Sequence, residues 1–174
     1  AVLMRNLSAV SMLEIDGTWN MPTIGAQEKL LAWKEYFRAH EPRRGDLAAY
    51  ERRDDAGHPV YLIGRVVGLP GDRVALRGGR VVLNGNTLAH RVTGPERAIE
   101  TQINGRSYEI ADTLIGGPHD NTPEYVVPGD SYFLLGDNRD ATRDSRMVSV
   151  GMVPRVALHD LPVAVIGSTD LRRV

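Results

Sequence analysis

Most of this chain consists of short apolar runs separated by polar turns, and only one segment has a helical period. Between residues 26 and 39 the apolar side chains recur at the i, i+4, i+7 and i+11 spacing of one helix face: Ala26, Leu30, Trp33 and Phe37. Charged residues lie off this stripe. The spacing predicts one amphipathic surface helix, although Leu30, Leu31 and Trp33 would also suit an apolar strip on a membrane surface.

From Gly45 onward the pattern favours β-strands. Runs rich in Val, Ile, Leu and Tyr are bounded by polar or glycine-containing segments. Arg77-Gly78-Gly79 and Asn84-Gly85 predict tight turns between strands. The expected strands are 47–50, 59–67, 73–76, 80–83, 87–92, 98–102, 107–110, 125–127, 132–135, 153–158 and 163–166. The expected core residues include Leu62, Ile63, Val66, Val67, Leu134 and Leu135.

These elements predict one domain over residues 1–174, mainly β, built from bent antiparallel sheets with one helix near residues 26–39. Residues 94–122 are polar, with weak strand patterns and the breaker Gly116-Gly117-Pro118. We therefore interpret 94–122 as a peripheral insert.

Composition narrows the functional classes. The chain has 174 residues, and 21 basic against 22 acidic residues give a net charge of −1, which argues against a generic nucleic-acid binder. There is no cysteine, so disulfides and thiolate chemistry are excluded. The five histidines show no ligand spacing and no phosphate loop is present, so we expect neither a metal nor a cofactor. No apolar run is long enough to span a membrane and no signal peptide is visible, which leaves open an anchor trimmed from the N-terminal side.

Two segments carry unusual turn and charge chemistry. Residues 68–72 read Gly-Leu-Pro-Gly-Asp, and Pro-Gly favours a type II turn because proline fixes φ and glycine accepts positive φ. Residues 136–146 read Gly-Asp-Asn-Arg-Asp-Ala-Thr-Arg-Asp-Ser-Arg. Alternating aspartate and arginine can form charge-assisted hydrogen bonds, so we expect an ionic network that makes this loop rigid.

The order of these segments resembles the signal peptidase I family of membrane-anchored serine endopeptidases. The likeness includes Arg65-Val66-Val67 before the first turn, and Met21-Pro22-Thr23-Ile24 resembles the end of the family's first motif. The resemblance implies a signal-peptidase-like β fold. It also implies that Thr142, Asp144 and Arg146 stand where the family has supporting residues, with Asp137 and Arg139 in the same network.

The catalytic pair of the family is replaced. Its serine nucleophile lies three residues before the motif proline, and that position is Trp19. Its lysine base directly precedes the Arg-Val-Val-Gly-Leu-Pro-Gly-Asp run, and that position is Gly64. Neither residue can do the chemistry, since tryptophan is no nucleophile for a carbonyl and glycine has no side chain to take a proton.

Ser11 is the alternative nucleophile, because Ser11-Met12-Leu13 resembles the start of the first motif with residues 14–21 inserted after it. Its base is missing, since Lys29 and Lys34 fall on the predicted helix. His58 is six residues before Gly64, about 20 Å along a strand. Thr18 neighbours the nucleophile position and lacks a base in the same way.

Three hypotheses follow. The first is a non-catalytic signal-peptidase-like protein of secretion, a pseudoenzyme that binds an extended peptide or preprotein by strand addition. The second is an active membrane-associated serine endopeptidase that cleaves signal peptides, with Ser11 as displaced nucleophile. The third is a structural β-domain at a membrane surface. The resemblance implies the extracytoplasmic face of the cytoplasmic membrane, the periplasmic side in a Gram-negative cell, with no nucleic-acid partner.

Overall fold

The computed structural model describes residues 9–54, 56–112, 116–141 and 143–168, together with the backbone of 2–7. Antiparallel strands dominate this part of the chain, which confirms the predicted fold class. It also contains one short helix, α1 (Tyr36–Ala39), and a 3₁₀ turn at Arg155–Ala157. The strands are β1 (Val2–Leu7), β2 (Val10–Ile15), β3 (Lys29–Trp33), β4 (Leu47–Arg53), β5 (Pro59–Gly68), β6 (Arg73–Arg77), β7 (Arg80–Leu83), β8 (Asn86–Thr87), β9 (Ala89–Gly94), β10 (Arg97–Thr101), β11 (Ser107–Ala111), β12 (Tyr125–Val126), β13 (Ser131–Leu135), β14 (Val153–Pro154) and β15 (Leu161–Gly167).

The helix predicted within residues 26–39 is confirmed, but it is only four residues long. The helix predicted from the periodic stripe is wrong for the segment that forms β3. This strand pairs with β2 on one side and with β15 on the other. Leu30 and Ala32 face the core, whereas Trp33 is 49% exposed. Two flanking strands outweigh the local helical pattern, because helix propensity is a weak preference that tertiary pairing overrides. The predicted strand 153–158 is likewise shorter, since Arg155–Ala157 turns away as a 3₁₀ helix.

The described strands form four antiparallel sheets. Their strand orders are β1-β2-β3-β15, β14-β13-β5-β4, β12-β6-β7-β8 and β11-β10-β9. The ten-residue β5 is central: it pairs with β4 over Pro59 to Arg65 and with β13 over Arg65 to Gly68. The β5–β13 register shifts between Phe133 and Leu134, a bulge that bends the pair.

The core lies on both faces of β5, and all six predicted core residues are buried. Leu62 and Val66 pack with Tyr50 and Leu134 on one face. Ile63 packs on the other face, with Leu13 and other residues of the β1-β2-β3-β15 sheet. The alternation follows from the strand period of two, which sends successive side chains to opposite faces. In the described part of the chain, no helix is long and apolar enough to cross a bilayer.

Candidate functional site

Gly64 lies in the middle of β5 and is buried. A Cβ at this position would lie 3.1 Å from Leu134 Cβ and 3.4 Å from Tyr50 Cε1, so the glycine faces the packed core. Tyr50 is the nearest hydroxyl-bearing side chain in this wall, and burial raises the pKa of its phenol far above the ordinary value, with Asp144 adding to the shift. The phenol therefore stays protonated at neutral pH and supplies no base in place of the missing side chain.

Trp19 lies in the loop that follows β2, and its backbone is held by the segment 136–138. Asn138 N donates to Trp19 O at 3.0 Å. A Cβ at Gly136 would lie only 2.5 Å from the same oxygen, so this close approach requires glycine. The Trp19 ring is half-buried, and the Arg143 guanidinium carbon lies 5.6 Å from its centroid. Trp19 is thus held in place by the fold through its backbone.

Asn20 joins the two positions, and sequence reasoning missed it. Its Nδ2 donates to Ile63 O at 2.9 Å, which places the segment after Trp19 directly beside the residue before Gly64. Asn20 is buried, and its Oδ1 has no hydrogen-bond partner among the described residues. The sequence did contain a signal for Asn20, namely a polar side chain between two motif positions. An amide that becomes buried there needs hydrogen-bond partners in the surrounding backbone.

The carbonyl of Ile63 belongs to an edge of β5 that β4 leaves free. Ile63 lies opposite Ala49 in the β4–β5 ladder. The peptide groups of Ala49 are used elsewhere, since its N–H donates to Asp160 O and its carbonyl accepts from His159 N, both at 2.9 Å. Opposite residues in an antiparallel ladder alternate between bonded and non-bonded pairs, so the peptide groups of Ile63 point away from β4.

β13 covers this same edge of β5 only from Arg65 to Gly68. In the described parts of the chain, residues 59–64 have no strand partner on that side, although β1 approaches β5 without pairing with it. An edge of unpaired peptide groups is a template for a further strand. Asn20 already occupies the Ile63 carbonyl and residues 62–64 are buried, so the accessible part of this edge is Pro59, Val60 and Tyr61. By the same alternation the peptide groups of Tyr61 also point away from β4.

Asp137 and Arg65 anchor the first turn of the 136–146 loop to β5. Arg65 Nε donates to Asp137 Oδ1 at 2.7 Å and Nη2 donates to Oδ2 at 2.5 Å, both side chains being buried. Thr23 Oγ1 also donates to Asp137. Burial lowers the pKa of the Arg65 guanidinium, but the Asp137 carboxylate more than offsets this, so the net pKa lies above the ordinary value. The pair is ionised and bidentate, which fixes geometry as well as charge.

Arg139 ties the loop to the segment interpreted as an insert. Its Nη1 and Nη2 donate to the Glu100 carboxylate on β10 at 2.9 and 2.7 Å, with both side chains almost fully buried. Tyr108 OH donates to Glu100 Oε1 at 2.6 Å. Burial raises the pKa of Glu100, but Arg139 outweighs it, and the net pKa is below the ordinary value. Sequence reasoning missed Glu100. Its signal was its position two residues after Ala98, because residues two apart in a strand lie on the same face and Ala98 is buried.

The expected hydrogen bonds between Asp144 and Arg146 are present. Arg146 Nη2 donates to Asp144 Oδ2 at 2.7 Å, and Nε donates to Oδ1 at 2.9 Å. Arg146 Nη2 also donates to Arg139 O at 2.7 Å, and Gly136 N donates to Asp144 Oδ2 at 3.2 Å. These bonds close the loop on itself next to Trp19 O. Thr142, the remaining supporting position, lies outside the described residues.

Ser11 is on β2, on the face that packs into the core, and is 0% exposed. Its hydroxyl donates to Asp160 Oδ2, and Asp160 Oδ1 accepts from Glu35 N at 2.8 Å. Sequence reasoning also missed Asp160. The signal that could have identified it is its position as the single acidic residue directly before the apolar run of β15. Ser11 therefore has a carboxylate partner and no path to solvent.

Two of the nitrogen bases weighed for Ser11, Lys29 and His58, are not beside it, and Lys29 lies in β3 rather than on the predicted helix. Lys29 lies opposite Glu14 in the β2–β3 pair, on the exposed face, with Nζ 3.5 Å from the Glu14 carboxylate. His58 is an exposed residue of the β4–β5 turn, where its Nδ1 lies 3.5 Å from Asp54 Oδ2. The exposed Thr18 accepts through its carbonyl from Asn138 Nδ2 at 3.2 Å. The structure does not bring these residues together into a serine–base pair.

Comparison with known proteins identifies the family. Residues 1–166 match the model described as "Signal peptidase, peptidase S26". Signal peptidase I of Rickettsia felis is 35% identical over 131 residues, which cover 67% of this chain and 48% of that protein, and signal peptidase I of Rickettsia prowazekii is 37% identical over the same coverage. The chain thus spans about half the length of these relatives. A crystal structure of a signal peptidase I from Enterococcus faecalis V583 aligns with a TM-score of 0.41 at 24% identity, over 68% of this chain and 94% of that one. The chain belongs to the signal peptidase family, peptidase S26.

Proposed function

We propose that this chain is a non-catalytic member of the signal peptidase family that binds an extended peptide or preprotein segment. One observation carries the proposal: the base position is Gly64, and the space beyond its Cα is filled by Leu134 and Tyr50. A lysine base needs both a side chain and a cavity in which burial lowers its pKa. Neither exists beside Gly64.

The nucleophile position supports the same conclusion. Trp19 is held with its backbone beside Asn138 and its ring next to Arg143. The displaced candidate, Ser11, is fully buried and donates to Asp160. A serine without a path to solvent cannot reach a peptide carbonyl, because attack needs the two atoms at near-contact distance. Ser11 and Asp160 thus serve to join β2 to the start of β15.

The binding mode is addition of a strand to the free edge of β5. Tyr61 is half-buried and its peptide groups point to that edge, whereas Asn20 closes the edge at Ile63. Main-chain hydrogen bonds would supply affinity, and side-chain pockets on the two faces of the added strand would supply selectivity.

We place the protein at the extracytoplasmic face of the cytoplasmic membrane, in line with its family, with the membrane surface as a second partner. Half-exposed apolar side chains at the β3–β15 end of the molecule support contact with a lipid surface: Trp33, Val163 and Ile166.

The first test is a cleavage and binding assay of the purified chain with a signal-peptide precursor in detergent micelles. We expect saturable binding and no cleavage. The Trp19→Ser, Gly64→Lys double variant tests whether supplying a serine and a lysine is enough to produce cleavage. We expect little cleavage, because Leu134 still fills the space beside residue 64. Specific cleavage that Ser11→Ala abolishes would contradict the proposal and make Ser11 the nucleophile.

The second test probes strand addition through the ligand. Peptides N-methylated at successive positions lose one N–H each, and an added strand uses only every second N–H toward its neighbour. We expect methylation at alternate positions to abolish binding and at the intervening positions to leave it intact. Equal effects at all positions would argue against addition to β5.

A further inference from the structure

A small pocket outside the dyad positions lies where the end of the β4–β5 hairpin meets residues 143–150. Its volume is about 200 Å³. Pockets for drug-sized ligands measure about 300–1,000 Å³, so this pocket suits a single side chain. Three arginines and one acid line it: Arg52, Arg53, Arg143 and Asp54.

The three arginines have no carboxylate partner among the described residues. Arg52 Nη2 donates to Ser149 O at 2.8 Å, but its Nε is buried without a hydrogen-bond partner in the described chain. Arg53 Nη1 donates to Gly57 O at 2.7 Å. Each guanidinium has five donors, so most of their capacity is unused.

Asp54 offsets only one of these three positive charges. Its Oδ1 accepts from Ala56 N at 2.9 Å and from His58 N at 2.8 Å, so the carboxylate closes the hairpin turn. The pocket therefore keeps an excess of positive charge, and the planar fork of arginine matches the two oxygens of a carboxylate.

The floor of the pocket is apolar. Leu62 and Val150 are buried there, and Val60 and Met147 complete the wall. A pocket lined by arginines and aliphatic side chains suits an acidic side chain whose carboxylate is carried on methylene groups. Glutamate has a longer methylene stem than aspartate and therefore offers more apolar contact to this floor.

Two residues that line the pocket, Leu62 and Arg143, adjoin the proposed peptide site. Leu62 and Gly64 are two residues apart on β5 and share one face, and Arg143 lies beside Trp19. A strand added to the edge of β5 sends every second side chain toward that face. A peptide bound as above would pass the pocket with one side chain directed at it.

We propose that this pocket receives a glutamate side chain of the bound peptide and so selects acidic segments. The inference rests on the proposed function, because only a strand on β5 presents a side chain here. Arg52 and Arg143 hold the carboxylate, and the Leu62 floor holds its stem.

The test uses short alanine- and valine-rich peptides, N-acetylated and C-amidated, in which one glutamate is moved through successive positions. Fluorescence anisotropy compares each peptide with its Glu→Gln counterpart. We expect one position at which glutamate binds at least about ten-fold tighter, or about 1.4 kcal/mol. Arg52→Gln and Arg143→Gln should abolish this preference. Arg91→Gln, which removes the same charge from an exposed site on β9, should keep it.

The outcomes separate the two proposals. Equal binding of glutamate and glutamine peptides at all positions would overturn the acidic pocket and leave strand addition in place. Tight binding of a glutamine peptide that carries a free C-terminal carboxylate would also overturn it. The pocket would then bind the terminal carboxylate of a peptide rather than a glutamate side chain. No binding by any peptide would overturn both. Should Arg52→Gln fail to fold, the exposed Arg143 and the peptide pairs decide the matter.

Discussion

On the proposed function, Gly64 and Trp19 stand in place of a reactive pair while the backbone around them is held in the fold. Gly64 has no side chain, and Leu134 and Tyr50 fill the space beside its Cα. Trp19 places a large ring in the loop after β2, and its carbonyl is held by Asn138 N. The proposal needs only one of the two positions to be non-functional, because loss of one member of a nucleophile–base unit costs nearly as much activity as loss of both.

Gly64→Ala should destabilise the protein by about 1–3 kcal/mol, because the added methyl comes within 3.1 Å of Leu134 in a packed core. Urea unfolding followed by circular dichroism measures this. Gly94→Ala is the matched control, since Gly94 is also in a strand and a Cβ there meets no atom within 4 Å. A Gly64→Ala variant as stable as the Gly94→Ala variant would show that Leu134 and Tyr50 move enough to accommodate the added methyl group.

Asp144→Ala should cost about 3–5 kcal/mol, because it leaves Arg146 buried without its carboxylate. Glu109→Ala breaks the exposed pair with Arg97 and should cost about 0–1 kcal/mol. Thermal melting distinguishes the two variants. An unchanged melting temperature for Asp144→Ala would mean that the loop does not depend on this network.

Among the elements, β5 and the 136–146 loop position the site together. β5 supplies the carbonyl of Ile63 that holds Asn20, a core face at Gly64 and the anchor Arg65. The loop is fixed from β5 through Asp137 and from β10 through Arg139. Because each anchor is a bidentate buried pair, the loop holds its shape without a helix or a strand of its own.

Glu100→Gln should lower stability at neutral pH, and the loss should fade in acid. The pKa of Glu100 is depressed in the folded state, so its contribution is present above the unfolded value of 4.5 and disappears as pH falls through the folded value. Urea unfolding between pH 7 and about pH 3 measures the difference between wild type and variant. A difference that is constant over this range would contradict an ionised Glu100–Arg139 pair.

For the whole molecule, buried contacts couple the four sheets. β5 shares its two faces between separate core clusters, and the β9–β11 sheet is joined to the loop by Arg139 and to Arg65 by Tyr108, whose ring centroid lies 4.1 Å from the Arg65 guanidinium carbon. Strands β10 and β11 are therefore attached to the centre of the molecule by charged side-chain contacts as well as by the covalent chain.

We expect this coupling to produce one cooperative unfolding transition. Far-UV circular dichroism and tryptophan fluorescence should give coincident melting curves. Amide hydrogen exchange should protect β10 to a degree similar to β5, since Glu100 is bound to the same network as Arg65. An earlier transition confined to residues 97–111 would show that the insert unfolds on its own.

The sequence by itself determined the fold class, the core strands and the identity of the loop. Period-two runs and glycine turns specify strands locally, and the alternating aspartates and arginines can be recognised without coordinates. The extent of the helix was not determined, because β3 depends on pairing with β2 and β15, which are distant in sequence. The partners of the charged residues were also decided only by the tertiary structure. Arg139 pairs with Glu100 and Ser11 with Asp160, 39 and 149 residues away, and burial rather than spacing selects such partners.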